Sequence, residues 1–349
     1  MFVKLENNIT YISSPVFEML ASLYVLQNPK HILKKKEGYS HPSPDVSHWV
    51  EEKRQLFSQN LYELLDLFFH FETFIGLSLI RFAYERNVTD EVESFLHKLK
   101  QMSSVSLFSY FLQTGYVSKD LPQIEDKNEV IDYINKAAIP DIEKWKLTYM
   151  YLHADETKKR LLQLLETYYE QFYKNETGFL MNYHKQSYED LMKADALNSR
   201  QSVGKTFPYI SNDTLDDPTI EIIIAPSFFY ADASMASESK DSLIFLYGIQ
   251  HPVKDRSNSY TEKDLMNALK IIGDDKRIRM MKLLSQSPYY GYELAQKMEL
   301  SNSTISHHLS ALSTIGVVTS RREENKVYFQ LNKTKVKDML AAVSSFLTD

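Results

Sequence analysis

The sequence predicts a mainly α (α+β) fold, with a large helix-rich N-terminal part and a smaller C-terminal part. Apolar residues recur at helical spacing from about residue 14 to residue 198, which predicts a series of packed helices. Residues 2–11 alternate between apolar and polar side chains around two asparagines, which is typical of a short hairpin. Two further β-forming runs at 220–224 and 243–247 predict strands, so we expect small β-hairpins beside the helices.

The domain boundary is predicted by a change of pattern near residue 250. Residues 251–260 are polar and have no hydrophobic periodicity, which is typical of a linker. A chain of 349 residues is also longer than one typical domain. We therefore predict a helix-rich domain at 1–250, a linker at 251–260 and a separate domain at 261–349.

The composition excludes several kinds of site. The chain has no cysteine, which excludes disulfides, zinc fingers and thiol nucleophiles and disfavours a secreted, disulfide-stabilised fold. The most apolar stretch, residues 61–84, contains Glu63, Asp66 and Arg81, and therefore predicts a buried helix instead of a membrane span. The first residues show no basic start followed by a long apolar run, so we expect a cytoplasmic protein without membrane contact.

Charge is distributed unevenly along the chain. Residues 260–349 contain 13 Lys and Arg against 10 Asp and Glu, a balance of +3 within a chain of net charge −6. The 27 basic and 36 acidic residues before them give a balance of −9. A basic excess confined to one end is typical of a nucleic-acid-binding domain, and a chance fluctuation is the alternative that the charge pattern alone leaves open.

The C-terminal residues predict several helices, then a two-stranded hairpin and a last helix. Gly273 and Gly316 are stop signals for helices, and Ser301 is a good N-cap. After Ser301 an apolar residue recurs every three or four positions, which gives that helix one buried stripe. The predicted elements are helices at 261–272, from 274, at 292–298 and at 301–315, strands at 317–322 and 326–331, and a helix at 334–347.

The exposed face of the fourth of these helices is suited to the major groove of DNA. A helix that enters the groove needs short polar side chains near its N-terminus, where they can hydrogen-bond base edges or phosphates. The candidates are Asn302, Ser303, Thr304, Ser306 and His307. The alternative is an ordinary solvated face. Basic residues at the hairpin tip favour DNA, because a tip can contact backbone phosphates. These residues are Arg321, Arg322 and Lys326.

Four segments in register resemble the winged helix-turn-helix repressors of the ArsR family. They are residues 269–284, 292–295, 303–312 and 316–318, the last followed by two arginines. The resemblance covers about residues 262–347 and implies binding to double-stranded DNA by a homodimer. It further implies that the dimer forms through the helices at 261–272 and 334–347, and that an effector relieves repression.

The residues depart from those of the metal-sensing members of that family. Such members carry cysteines in the third helix, or a cluster of His and carboxylates on the last helix. Here the third-helix region at 289–298 has neither Cys nor His, and the last helix has no His. His307 and His308 are adjacent and therefore point to different faces of their helix. We expect no metal site and no cofactor, and predict a non-metal effector.

The N-terminal region resembles the extension of some longer ArsR-type regulators of bacteria in three short segments, at 14–20, 223–229 and 246–248. The glycines are never closer than 18 residues, so a glycine-rich phosphate loop is excluded. His70 and Glu72 lie two apart on a predicted helix and are not expected to face each other. The sequence therefore does not predict an enzyme.

The aromatic content leaves two functions open for this region. Tyr and Phe number 42, mostly before residue 260, and many recur at helical spacing, which favours an aromatic core. The alternatives are an apolar pocket for a small organic effector, or a helical dimer face. The chain is then a repressor with an effector-sensing domain, or a DNA-anchored module whose N-terminal domain binds a protein partner. A closed apolar cavity would favour the first and an exposed apolar patch the second.

Overall fold

The computed structural model describes residues 1–32, 44–113, 121–137, 139–230, 233–249, 262–323 and 326–348. The chain folds into two compact units. The large unit holds the described residues up to Gly204 and from Ile210 to residue 249. The C-terminal unit holds those from residue 262 onward, together with Lys205–Tyr209. The predicted linker at 251–260 lies outside the described residues.

Helices make up most of the chain before residue 220, as predicted. The pattern at 51–86 is divided among several helices, because Ser58 starts a new one by accepting a hydrogen bond from the Leu61 amide at 3.3 Å. The α-helices are α1 Pro15–Gln27, α2 Pro29–Ile32, α3 Pro44–Gln55, α4 Gln59–Phe69, α5 Leu79–Glu85, α6 Val92–Gln101, α7 Ser104–Phe111, α8 Lys127–Lys136, α9 Asp141–Leu152, α10 Ala154–Tyr168, α11 Thr177–Lys193, α12 Arg200–Thr206 and α13 Asn212–Asp216. Short 3₁₀ turns at Ile75–Ser78 and Lys174–Glu176 and a π-turn at Tyr169–Tyr173 connect some of them.

The strands of the large unit form one five-stranded sheet. They are β1 Phe2–Lys4, β2 Ile9–Ile12, β3 Glu221–Ser227, β4 Ser234–Glu238 and β5 Ser242–Gly248, in the order β1-β2-β3-β5-β4. The hairpin of β1 and β2 forms as expected, around two asparagines with φ of 59° and 57°. The two later runs, β3 and β5, pair in parallel with each other, and β3 pairs in parallel with β2. Their unbroken apolar sequence suits central strands that are buried on both faces.

Aromatic side chains fill the core of the large unit. Helix α1 is buried from Pro15 to Leu26 without interruption, so other elements surround it on all sides. Phe68, Phe69, Phe108 and Phe111 are all fully buried in the same core. This confirms the core interpretation of the aromatic residues in α4 and α7.

The C-terminal unit is a winged helix-turn-helix, which confirms the predicted fold class. Ser301 caps the fourth helix by accepting a hydrogen bond from the Thr304 amide at 3.2 Å, and Gly316 ends it in the left-handed region at φ +72°. Its elements are α14 Glu262–Ile272, α15 Asp275–Leu284, β6 Tyr289–Tyr290, α16 Gly291–Met298, α17 Asn302–Thr314, β7 Val318–Glu323, β8 Lys326–Leu331 and α18 Lys333–Thr348. The short strand β6 is an addition to the prediction, and it pairs with β8 to give a three-stranded sheet.

Candidate nucleic-acid interface

Helix α17 has one buried face and one polar, exposed face. Ile305, Leu309 and Leu312 point into the core, with exposed fractions of 1%, 4% and 0%. Ser306 and His307 are exposed on the other side, close to the N-terminus of the helix. An apolar face anchored in the core leaves the polar face free to meet a ligand.

The remaining predicted base-contacting residues occupy the first turn of α17. Thr304 is half-buried, and its hydroxyl lies 2.7 Å from the Ser301 hydroxyl at the helix cap. Asn302 and Ser303 lie on the first turn, and only their backbones are described. Ser306 and His307 are therefore the two predicted residues whose exposed side chains the structure describes.

Helices α16 and α17 form the helix-turn-helix. Glu299 ends α16 in the left-handed region at φ 57°, which turns the chain sharply before Ser301. At the other end of α16, the amide of Tyr290 donates to a carboxylate oxygen of Glu293 at 3.2 Å. Both ends of α16 are thus fixed, so α17 has a defined direction relative to it.

The wing places the predicted basic residues close together on the backbone. In the register of β7 and β8, Arg321 lies opposite Tyr328, Arg322 opposite Val327, and Glu323 opposite Lys326. The three basic residues therefore fall within the last three pairs before the tip. Residues 324 and 325 at the tip lie outside the described residues, and Arg321, Arg322 and Lys326 are described by their backbones alone.

His308 belongs to a small polar cluster that sequence reasoning missed. It is 6% exposed, whereas its neighbour His307 is exposed, so the two point to different faces as expected. Arg277 donates from Nε to Nδ1 of His308 at 3.4 Å and from a guanidinium nitrogen to the Ile271 carbonyl at 3.1 Å. Burial lowers the pKa of His308, against the opposing effect of the Asp274 carboxylate. The ring therefore packs within the unit instead of facing solvent beside His307.

Two helices of the C-terminal unit expose apolar side chains. Helices α14 and α18 pack against each other, and Ala268 and Met339 of these helices lie in one core and are at most 2% exposed. Their outer faces nevertheless carry large apolar residues that are between 38% and 67% exposed. These residues are Met266, Leu269, Leu340, Phe346 and Leu347. They occupy the two helices for which the sequence predicts a dimer contact.

In the large unit, His70 and Glu72 do face each other, so the expectation from sequence was wrong. Helix α4 ends at Phe69, and the turn that follows brings Nδ1 of His70 to 4.0 Å from a Glu72 carboxylate oxygen. Glu143 of α9 lies 3.7 Å from the same nitrogen, and its carboxylate is 2.8 Å from Lys146 Nζ. Helical spacing did not indicate that α4 stops there. A lysine already neutralises the buried carboxylate of this cluster.

Two of the segments that resemble longer ArsR-type regulators, 14–20 and 223–229, meet at a buried hydrogen-bond network. Glu18 of α1 and His184 of α11 are both 0% exposed, and a Glu18 carboxylate oxygen lies 2.6 Å from Nε2 of His184. Ser227 at the end of β3 donates to the other Glu18 oxygen at 3.1 Å, and Ser13 lies 3.0 Å from Nδ1 of His184. These hydrogen bonds join α1, α11 and the sheet, and they provide partners for the polar atoms of fully buried side chains.

Helix α9 carries an exposed apolar stripe, which we call the α9 stripe. Leu147, Met150 and Tyr151 pack inward and are at most 6% exposed. On the outer side, large apolar residues recur at spacings of three and four. They are Ile142, Trp145, Tyr149 and Leu152, with exposed fractions of 68%, 76%, 61% and 50%. An exposed patch of this kind is unusual on a protein surface and marks a site of contact.

The fold and the outward face of α17 define a DNA-binding transcription regulator of the winged helix-turn-helix class. The family described as "Bacterial regulatory protein, arsR family" matches residues 274–320. The arsenical resistance operon repressor of Staphylococcus aureus is 33% identical over 78 residues, which cover 22% of this chain and 75% of that protein. The transcriptional activator HlyU of Vibrio cholerae is 33% identical over 72 residues, which cover 21% of this chain and 67% of HlyU. The chain therefore belongs to the ArsR family.

Two further similarities are to a transcriptional repressor and to a solved structure. The transcriptional repressor SdpR of Bacillus subtilis is 28% identical over 81 residues, which cover 23% of this chain and 90% of SdpR. The crystal structure of NolR from Sinorhizobium fredii is 28% identical and covers 23% of this chain and 81% of that one, with a TM-score of 0.21. The relatives include repressors and an activator, so their shared property is the control of transcription. Within the described part of the chain, no helix is long and apolar enough to cross a membrane.

Proposed function

We propose that this chain is a homodimeric repressor that recognises a specific operator and whose affinity for it is set by a non-metal effector. The observation that carries the proposal is the polar outward face of α17, opposite a fully buried apolar face. In this proposal Asn302, Ser303, Thr304, Ser306 and His307 meet bases or phosphates in the major groove. Arg321, Arg322 and Lys326 of the wing meet the phosphate backbone.

A homodimer is supported by the exposed apolar faces of α14 and α18. Large apolar side chains on the outside of two adjacent helices are costly in water and are covered when a second copy packs on them. A two-fold dimer would then present two copies of α17 to half-sites about one or more helical turns apart, roughly 34–36 Å per turn. In this proposal 261–349 is the DNA-binding domain, 251–260 the linker and 1–250 the sensing domain.

A non-metal effector is supported by the absence of cysteine from the sequence. The names of two relatives refer to arsenical and cadmium resistance. Soft metals and metalloids of that kind favour thiolate ligands, and this chain has no cysteine. We expect salts of Zn, Cd, As and Cu to leave operator affinity unchanged, and a chelator-reversible release from the operator would contradict this.

The second candidate function, a module whose large unit binds a protein, is favoured by the α9 stripe. Apolar side chains exposed at this density suit a protein surface better than a small molecule. The groove on the outside of α10, with a volume of about 530 Å³, is open and is lined by Asp155, Lys158, Lys159 and Glu166 among others. Its charged, open character differs from that of a closed apolar pocket for an organic effector.

The test is selection of binding sites from genomic DNA by the full-length protein, followed by binding measurements with the selected duplex. We expect an inverted repeat and a loss of preference in Ser306→Ala and His307→Ala. Arg160→Ala, a change on α10 of the large unit, serves as the control and should bind as the unmodified protein does. A folded dimer that shows no sequence preference at low salt would overturn the proposal.

A further inference from the structure

We propose that the α9 stripe is a second dimer contact, at which two copies of this chain pair their α9 helices in antiparallel orientation about a two-fold axis. The inference depends on the proposed function in one respect, since the winged helices are taken to hold the second copy nearby. In this proposal a second copy of the chain covers four side chains that are at least half exposed: Ile142, Trp145, Tyr149 and Leu152.

The order of side chains along the stripe is what identifies a second copy as the occupant. Read in either direction, the stripe is aliphatic, aromatic, aromatic and aliphatic. An antiparallel pair centred on Leu147 places Ile142 opposite the partner's Leu152 and Trp145 opposite the partner's Tyr149. A two-fold interface must be complementary to itself, and a stripe of this symmetry fulfils that condition.

The charges on α9 fit the same arrangement. Centring on Leu147 also places Asp141, whose side chain is 88% exposed, opposite the partner's exposed His153. Lys144 lies 3.3 Å from Asp141, and Lys146 is held by Glu143, so the charges beside the stripe are already balanced. The stripe is a place where two copies can meet without like-charge repulsion.

The area of the α9 stripe suits a secondary contact that reinforces the dimer formed by α14 and α18. From the area of an aromatic side chain and the exposed fractions above, the stripe offers about 500 Å² per copy, or about 1,000 Å² for a pair. That is near the lower limit for a specific interface. Once α14 and α18 hold the two copies together, pairing of α9 becomes intramolecular and needs far less intrinsic affinity.

Cysteine cross-linking tests the orientation directly, because the chain has no cysteine of its own. In the double variant Ile142→Cys/Leu152→Cys, each thiol should face the other thiol of the partner, and mild oxidation should give a covalent dimer. The two positions are about 15 Å apart along one helix, too far for a disulfide within one copy. Each single variant should cross-link far less, as should Lys136→Cys at an exposed position of α8, which serves as a control.

A measurement without substitution in the stripe guards against misfolding of these variants. The chain has two tryptophans, and Trp49 packs on Phe229 with ring centroids 4.4 Å apart. In Trp49→Phe, Trp145 is the only tryptophan left. We expect iodide to quench its fluorescence weakly in the dimer and strongly after dilution to the monomer. Strong quenching at every concentration would overturn the proposal.

Sedimentation separates failure of this inference from failure of the proposed function. Trp145→Glu should weaken the dimer by about tenfold or more, as expected for an aromatic anchor. Leu56→Glu, which alters an exposed apolar residue outside the stripe, should not. If the chain sediments as a dimer but the double variant cross-links no better than Lys136→Cys, α9 pairing is wrong, a different protein occupies the stripe, and the repressor proposal stands. If the chain is monomeric both free and on DNA, the proposed homodimer fails as well.

Discussion

Helices α17 and α9 have the same construction on their inner sides and opposite chemistry on their outer sides. Each buries apolar residues at helical spacing in the core of its own unit. The outer side of α17 carries short polar residues and a histidine, whereas that of α9 carries an aliphatic–aromatic stripe. Since the inner side fixes each helix, the outer side is free to determine the partner. Polar side chains suit the hydrated edges of base pairs, and large apolar ones suit a protein surface.

The largest expected effects come from the inner sides, where the two helices should behave alike. Leu312→Ala in α17 and Leu147→Ala in α9 each create a cavity and should lower the free energy of unfolding by about 2–5 kcal/mol. Urea unfolding followed by circular dichroism would measure it, with Ser306→Ala on the exposed side of α17 as a control within about 0.5 kcal/mol. Equal stability of Leu147→Ala and the unmodified protein would mean that α9 is anchored differently.

On the outer side of α17, substitutions should change sequence preference and leave stability unaltered. Ser306→Ala or His307→Ala should cost about 1–3 kcal/mol of discrimination for each lost base contact. Competition binding with single-base variants of the operator would measure it. The matched change on the other helix, Tyr149→Ser, should leave the preference among these variants unchanged. A shift in preference in Tyr149→Ser would contradict the division of roles.

The wing should contribute to the affinity for DNA without contributing to the preference for a particular sequence. Arg321→Ala and Arg322→Ala each remove one phosphate contact, so all duplexes should bind more weakly by a similar factor. The slope of log affinity against log salt should fall by about one unit for each change. Titrations at several salt concentrations would show it, with Arg160→Ala on α10 as the charge-matched control. An altered sequence preference with an unchanged slope would mean that the wing reads bases.

The smallest expected effect is a pH dependence of the C-terminal unit. Burial lowers the pKa of His308 in the folded state, so the unfolded chain binds a proton more readily. The contribution of neutral His308 to the free energy of unfolding is present above the pKa of histidine in the unfolded chain, about 6.5. It is lost as the pH falls through the lower pKa that His308 has in the folded state. Thermal unfolding between pH 5 and 7 should show this loss, about 1.4 kcal/mol per pH unit at most. His308→Gln should flatten it, and an unchanged slope would exclude His308 as its source.

The sequence predicted the elements of the C-terminal unit well because their limits have local causes. Ser301 can cap only a helix that begins after it, and Gly316 can adopt a left-handed conformation at little cost. Strand β6 was missed because two residues carry no periodicity. The two histidines of α17 could be assigned to different faces, but the contact of His308 with Arg277 depends on the packing of another helix.

In the large unit, the predictions failed where long-range contacts decide the outcome. The apolar runs of β3 and β5 predicted strands, but their parallel pairing depends on segments separated in sequence. Helix α9 has apolar residues on both sides, so periodicity could not show that Leu147 is covered and Trp145 exposed. The closeness of His70 to Glu143 likewise depends on how the turn after α4 meets α9, which no local pattern indicates.

The most direct test of the central claim, that the outward face of α17 reads DNA, is the structure of the full-length protein bound to its selected duplex. We expect Ser306 and His307 within hydrogen-bond distance of base edges or phosphates in the major groove. Arg321 and Arg322 should lie on the backbone beside it, and two copies of α17 should occupy successive half-sites. A complex in which α17 lies away from the groove, with the duplex bound by another surface, would contradict the account.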